Sequence, residues 1–276
     1  MLAGTYDNVL VTGNCIVNAG PVDITGNLTV AAGATLAAIY GLNDTTMTGN
    51  SNMTVQGNLY VKSGASLMLG CYSRIVTNWG AYHLLKLPDF PCTDDPNQNA
   101  PTLNTHDVVD GNLISDDPLG TVVHNTVVHG SVIQNGGGAG LGCAPVGIFN
   151  KYFGLPEYTD YANVTVGKSL SVKGLDTCWF GAVRNRVQGN MTVDNDTGSA
   201  DGQEVVTNVI EGNMYCTGNS PAVEYGDSDG HPNKVAGSAN GECGFHVSLP
   251  NPAFNDGVHC PPCHRTWQPA SVKLSS

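Results

Sequence analysis

Asp110 and His129 are the residues whose types best fit acid–base chemistry in this 276-residue chain. A carboxylate beside an imidazole orients the ring and favours its charged form, which tunes a general base or acid. His106, Asp107, Asp116, Asp117 and His124 crowd the same stretch, and Arg184 offers a guanidinium suited to clamping a uronate. Asp107, Asp116 and Asp117 are oxygen donors of the kind Ca²⁺ takes, so calcium is an admissible ligand. A separate group lies in the tail "HCPPCHRTW", residues 259–267. Its Cys260-x-x-Cys263-His264 spacing admits a local disulfide, zinc held with His259 and His264, or haem joined by two thioethers with an axial imidazole. A single match with no second axial ligand favours the disulfide, and no cofactor is expected.

Residues this far apart act together only in a fold that stacks them. "VQGNMTV" at 187–193 and "IEGNMYC" at 210–216 are near copies, and the pattern recurs as "TGNCIV" at Gly13, "TGNLTV" at Gly26, "QGNLYV" at Gly57, "DGNLIS" at Gly111, "HGSVIQ" at Gly130, "VGKSLSV" at Gly167 and "VAGSANGEC" at Gly237. "TGNSNMTV" at Gly49 is a looser copy. The steps Gly167 to Gly189 to Gly212 to Gly237 are 22, 23 and 25 residues, a period typical of solenoids. Within a copy Val187, Met191 and Val193 alternate with polar residues, the period of a strand. A leucine-rich repeat would need a Leu-x-x-Leu-x-Leu signature, which is absent. The chain therefore predicts an all-β fold, a right-handed parallel β-helix over 1–247 with coils of about 22–25 residues rising about 4.8 Å each, followed by an irregular tail over 248–276.

In this register the position before the glycine reads Asp110, His129, Val166, Gln188, Glu211 and faces outward, while His106 and Arg184 stand four residues earlier on their coils. Asp110 and His129 become neighbours one coil apart. Asn163, Asn185, Asn208 and Asn233 form a predicted ladder of amides, and the sequons at Asn27, Asn52, Asn163, Asn190 and Asn195 read as ladder and strand residues. Long intervals place insertions at about 72–104 and 136–160, which carry Trp79, Tyr82, Phe90, Phe149, Tyr152, Phe153 and Tyr158. Repeat proteins gather insertions on a binding face, so Trp79, Tyr82, Tyr152, Tyr158 and Glu211 are candidate binding residues.

Nine Cys in a chain poor in Lys point to an oxidising compartment, with one thiol left over. Corrected for insertions, Cys216 pairs with Cys243 at the carboxyl cap, Cys143 with Cys178, and Cys71 with Cys92 at the base of the larger insertion. Cys15 occupies an inward position and reads as a core thiol. The amino end "MLAGTYDNVL" lacks the basic and apolar regions of a signal peptide, so either a signal has been removed or the protein is intracellular, and the Cys usage favours the first. A net charge of -12 argues against nucleic acid and anionic lipid as partners, and no apolar run of about 18 residues spans a membrane.

"GLDTCWFGAVRNRVQGNMTV", "EVVTNVIEGNMYCTGNSPAVEYGDS" and "PNKVAGSANGECGF" resemble secreted actinobacterial β-helix repeat proteins, over about residues 105–250 and more loosely in the amino part. The resemblance implies fold and secretion and carries no catalytic residue across. Two functions follow: a non-catalytic extracellular scaffold that binds polysaccharide or a cell-envelope component, or a polysaccharide lyase or glycoside hydrolase, since long β-helices with side insertions resemble pectate lyases and polygalacturonases. Oligomeric state is not legible.

Overall fold

The computed structural model describes residues 3–17, 21–39, 53–70, 107–153, 155–198, 203–224 and 232–243. Every strand pairing in it is parallel, and the strands form three sheets of nine, nine and seven members, here A, B and C. The first seven coils cross A, then B, then C, and the last two have strands in A and B among the described residues. Numbered by their sheet A strands, the coils are Gly4–Tyr6, Val22–Ile24, Met53–Val55, Val108–Val109, Val127–Val128, Thr165–Val166, Arg186–Val187, Val209–Ile210 and Lys234–Val235. The architecture is a parallel β-helix solenoid, as the repeat predicts.

The strands are two to five residues long, since three corners must fit into each turn of chain. Alternation then sends one column of each strand inward. On sheet B the column Leu28, Leu59, Leu113, Val132, Leu170, Met191, Met214 is fully buried, and sheet A contributes Ile24, Val55, Val109, Val128, Val166, Val187 and Ile210. Each buried aliphatic contributes about 1.5–3 kcal/mol that a single coil has no partner to supply. Polar residues interrupt the interior at the fourth and fifth coils, where Tyr161 donates its hydroxyl to Gln134 Oε1 at 2.6 Å.

Register corrects the alignment in three places. Asn14–Ile16 pairs with sheet C, so "TGNCIV" is a different corner, and the amino-terminal member of the Gly-Asn series is Asn8, which accepts the Asn27 N–H at 2.8 Å. Cys15 does stack inward on Leu36 but is only half-buried. Met53–Val55 of the "TGNSNMTV" copy is a sheet A strand paired with Val22–Ile24, so this copy does not share the register of the others, and Gly49 lies outside the described residues. The smaller insertion ends earlier than expected, because Thr159–Ala162 is a sheet C strand.

That insertion holds the single helix of the described residues, α1 (Ile148–Phe153), and packs on the outer face of sheet C. Phe149 and Tyr158 meet edge to face at 5.4 Å, and Tyr158 meets Trp179 at 5.9 Å, over Met68 and Val122. Glu157 accepts the Phe149 N–H at 2.9 Å. Burial pushes its carboxyl up to about 7 against the pull of hydrogen bonds from Phe149, Ile148 and Ser66. A disulfide from Cys143 to Cys178, with Cα atoms 4.5 Å apart, fastens the insertion to the sixth coil, and Cys216–Cys243, at 5.3 Å, joins the last two coils. Both pairings match the sequence expectation. Cys71, Cys92, Cys260 and Cys263 lie outside the described residues.

Candidate functional site

The corner between sheets A and B explains the Gly-Asn repeat. Each side chain of the series Asn8, Asn27, Asn58 and Asn112 accepts the backbone N–H of the next coil at 2.8 Å, ending at Ser131, and Asn190 and Asn213 resume the pattern at 2.8 and 2.9 Å. These bonds satisfy corner amides that no strand partner reaches. The preceding residue is glycine because a Cβ on Gly111, Gly130 or Gly212 would overlap the carbonyl of the glycine one coil below.

The fifth and sixth coils break this corner. Ser131 and Ser169 stand where Asn stands elsewhere, and their contacts lengthen to 3.4 and 3.1 Å. Lys168 occupies the glycine row between Gly130 and Gly189, as its N–H to Gly130 O bond and the Gly189 N–H to Lys168 O bond show. Close approach moves one residue earlier, to Gly167, whose Cβ would overlap the His129 carbonyl oxygen. The outward row is thus Asp110, His129, Gly167, Gln188, Glu211, with Gly167 in place of the expected Val166.

Beside this break His129 Nδ1 lies 2.9 Å from Asp110 Oδ1, with the two side chains 61% and 42% exposed. With Asp110 accepting at Nδ1, the ring keeps Nε2 for a proton or a ligand. Arg184 is not part of this group. It lies at the far edge of sheet A, four backbone positions and two coils away, with a left-handed φ of 57° and its Nε donating to Asn163 Oδ1 at 3.0 Å. Asn163 shares that left-handed row, one position before the true amide ladder of Asn185, Asn208 and Asn233. Glu211 is exposed on the outward row, three coils above His129.

The expected calcium ligands are dispersed. Asp107 is buried at the corner between sheets C and A, where it accepts the N–H groups of Met53 and Gly70 at 2.8 and 2.9 Å, and burial pushes its carboxyl up to about 7 against those two bonds. Asp116 and Asp117 stand exposed at the corner between sheets B and C, where Asp117 accepts from Ser63 Oγ at 3.0 Å. No group of three His, Cys, Asp or Glu suited to a metal occurs among the described residues. Tyr158 is core rather than binding surface, and burial raises its phenol well above the usual tyrosine range. His106, Trp79, Tyr82, His259 and His264 fall outside the described residues, as does the side chain of Tyr152.

A second histidine–carboxylate pair does not emerge from the Gly-Asn alignment. His124 Nε2 lies 2.6 Å from Asp160 Oδ2 on the outer face of sheet C, with side chains 3% and 10% exposed. The pair faces the same side as the aromatic cluster of the insertion. Only alignment of the sheet C segments "GTVVH", "TDYA", "FGAV" and "QEVV" brings these two residues to adjacent coils.

No family model, no curated protein and no solved structure matches this chain.

Proposed function

We propose that this protein is an extracellular β-helix scaffold that binds a polysaccharide or cell-envelope component along the outer face of sheet B, without catalysing a reaction. One observation carries the reading. The outward column of sheet B runs Leu10, Thr29, Tyr60, Ile114, Ile133, Ser171, Thr192, Tyr215, Asn240 over nine strands, about 38 Å at 4.8 Å per strand. Tyr215 and Leu10 are 37% and 63% exposed, and the remaining members from Thr29 to Thr192 are half-buried. Aromatic and aliphatic faces suit the C–H faces of sugar rings, and the interspersed hydroxyls suit their hydroxyls. Tyr60 is held for such contact, accepting from Asn58 Nδ2 at 3.0 Å with Lys62 Nζ 5.3 Å from its ring centroid.

Secretion fits the two disulfides, and no helix of the described residues is long and apolar enough to cross a membrane. The resemblance to secreted actinobacterial repeat proteins supports the same compartment. The test is affinity electrophoresis and glycan pull-down on a panel of neutral and acidic polysaccharides. Replacing both Tyr60→Ala and Tyr215→Ala should weaken retention about tenfold, since each aromatic contact is worth about 0.5–1.5 kcal/mol. Retention on no polymer, or equal retention of the double variant, removes this reading.

The exposed His129–Asp110 pair beside the broken corner supports a second reading, a polysaccharide lyase or hydrolase with His129 as general base. It requires product release from a polysaccharide that disappears in His129→Ala. Unchanged turnover in that variant excludes it.

A further inference from the structure

We propose that the break in the A–B corner at the fifth and sixth coils is a uronate subsite, in which Lys168 and the ring of His129 grip the sugar carboxylate. This rests on the polysaccharide-binding reading and assigns it a substrate class. Four departures from the repeat fall at one place. Lys168 supplies a cation where the neighbouring coils carry Gly130 and Gly189. Gly167 leaves bare backbone directly above His129, where Asp110 and Gln188 continue the row with side chains. Ser131 and Ser169 shorten the amide ladder and present hydroxyls, with Ile133 the first outward residue of the strand that follows Ser131.

Each departure has a use in holding an acidic sugar. The flush backbone at Gly167 lets a ring lie against the corner, and the serine hydroxyls reach ring hydroxyls. Ile133 covers a C–H face. The carboxylate then takes charge-assisted bonds from Lys168 Nζ and from His129 Nε2–H. Asp110 holds Nδ1 and so aims Nε2 away from the coil below. A neutral sugar offers Lys168 no charged partner.

The overall charge of -12 does not oppose this, because exposed charges are screened beyond about 8 Å at physiological ionic strength. Among the described residues, the charged groups around His129 are Asp110 on the coil below, Lys168 on the coil above and, two coils above in the outward column of sheet A, Arg186. The flanks of His129 on sheets A and B are Val108, Val127, Thr165, Ile114, Ile133 and Ser171, and Glu211 is three coils away, about 14 Å.

The experiment follows the imidazole C–H resonances of His129 by NMR while the full chain is titrated with glucuronate, glucose or inorganic phosphate. Glucuronate should shift them saturably and glucose should not. Lys168→Ala should weaken the response about tenfold and Lys168→Arg should keep it. No saturable response, an equal response to glucose or phosphate, or a full response in Lys168→Ala overturns the subsite. The Tyr60 and Tyr215 variants separate the two readings. They should leave this titration intact while polymer retention falls; a working titration in a protein that retains no polymer sinks the sheet B reading alone.

Discussion

His124 and His129 stand five residues apart in sequence, and each is bonded to an aspartate on an adjacent coil. His129 takes its carboxylate from the coil below, at an exposed corner; His124 takes Asp160 from the coil above, on the face to which the aromatic insertion is fastened by Cys143–Cys178. The residue types are the same, but Asp110 stands directly opposite His129 and meets Nδ1, whereas Asp160 stands opposite Val122, on the diagonal from His124, and meets Nε2. The larger difference is the solvent. In water the pair is worth little to stability, and its ring is accessible to a ligand; out of water each member depends on the other, because an unpaired buried charge is costly. The same two residue types are thus open to solvent in one place and a buried tie in the other.

The largest expected effect is on the buried side. His124→Ala leaves Asp160 without its partner at 10% side-chain exposure, and the expected loss is about 3–5 kcal/mol, or a fall in Tm of roughly 10 °C by calorimetry. A loss below about 1 kcal/mol would mean that burial does not distinguish the pairs. The second effect concerns pH. Asp107, Glu157 and Asp196 have carboxyls that burial raises to about 7 in the folded chain, from 3.8, 4.5 and 3.8. Raised folded values mean that the folded chain binds protons more tightly than the unfolded one. The associated stability is complete below about pH 4 and is lost as pH rises through about 7, at most about 4 kcal/mol per group. Urea midpoints at about pH 5 should exceed those at about pH 8, and a flat profile contradicts the assignment.

Asp196 allows a finer cut. Its Oδ1 accepts the Leu175 N–H at 2.8 Å and its Oδ2 is buried without a partner among the described residues. One coil on, Asn219 fills the same corner and donates Nδ2 to Val193 O at 2.9 Å. Asp196→Asn should therefore raise stability by about 1 kcal/mol at about pH 8 and change little at about pH 5. Equal effects at both pH values would point away from ionisation. The smallest effect belongs to the exposed pair. His129→Ala should shift stability by no more than about 0.5 kcal/mol, and a double-mutant cycle with Asp110→Ala should give under about 1 kcal/mol of coupling, falling with added salt. A coupling near that of the buried pair would mean that the corner is less exposed to water than its accessibility implies.

The amide ladders show where legibility stopped. Asn185, Asn208 and Asn233 were readable because their spacing equals the coil length, and Cys143–Cys178 because the insertion between them was recognisable. Spacing alone places Asn163 one position off, since Asn suits both a ladder amide and the left-handed residue before it. Tyr158 is not told from a surface residue by sequence, because an insertion is aromatic whether it presents its rings to a ligand or buries them on the sheet behind.

Period and alternation alone therefore determined the coils, their inward columns, two cross-links and the adjacency of Asp110 to His129, because those follow from what a chain of this pattern must bury. The tertiary structure alone decided which sheet each copy joins, that Gly167 and Lys168 exchange roles at the sixth coil, and that the insertion folds over sheet C. Those outcomes depend on Cβ clearances between coils and on which outer face is removed from water, and neither quantity is carried by residue spacing.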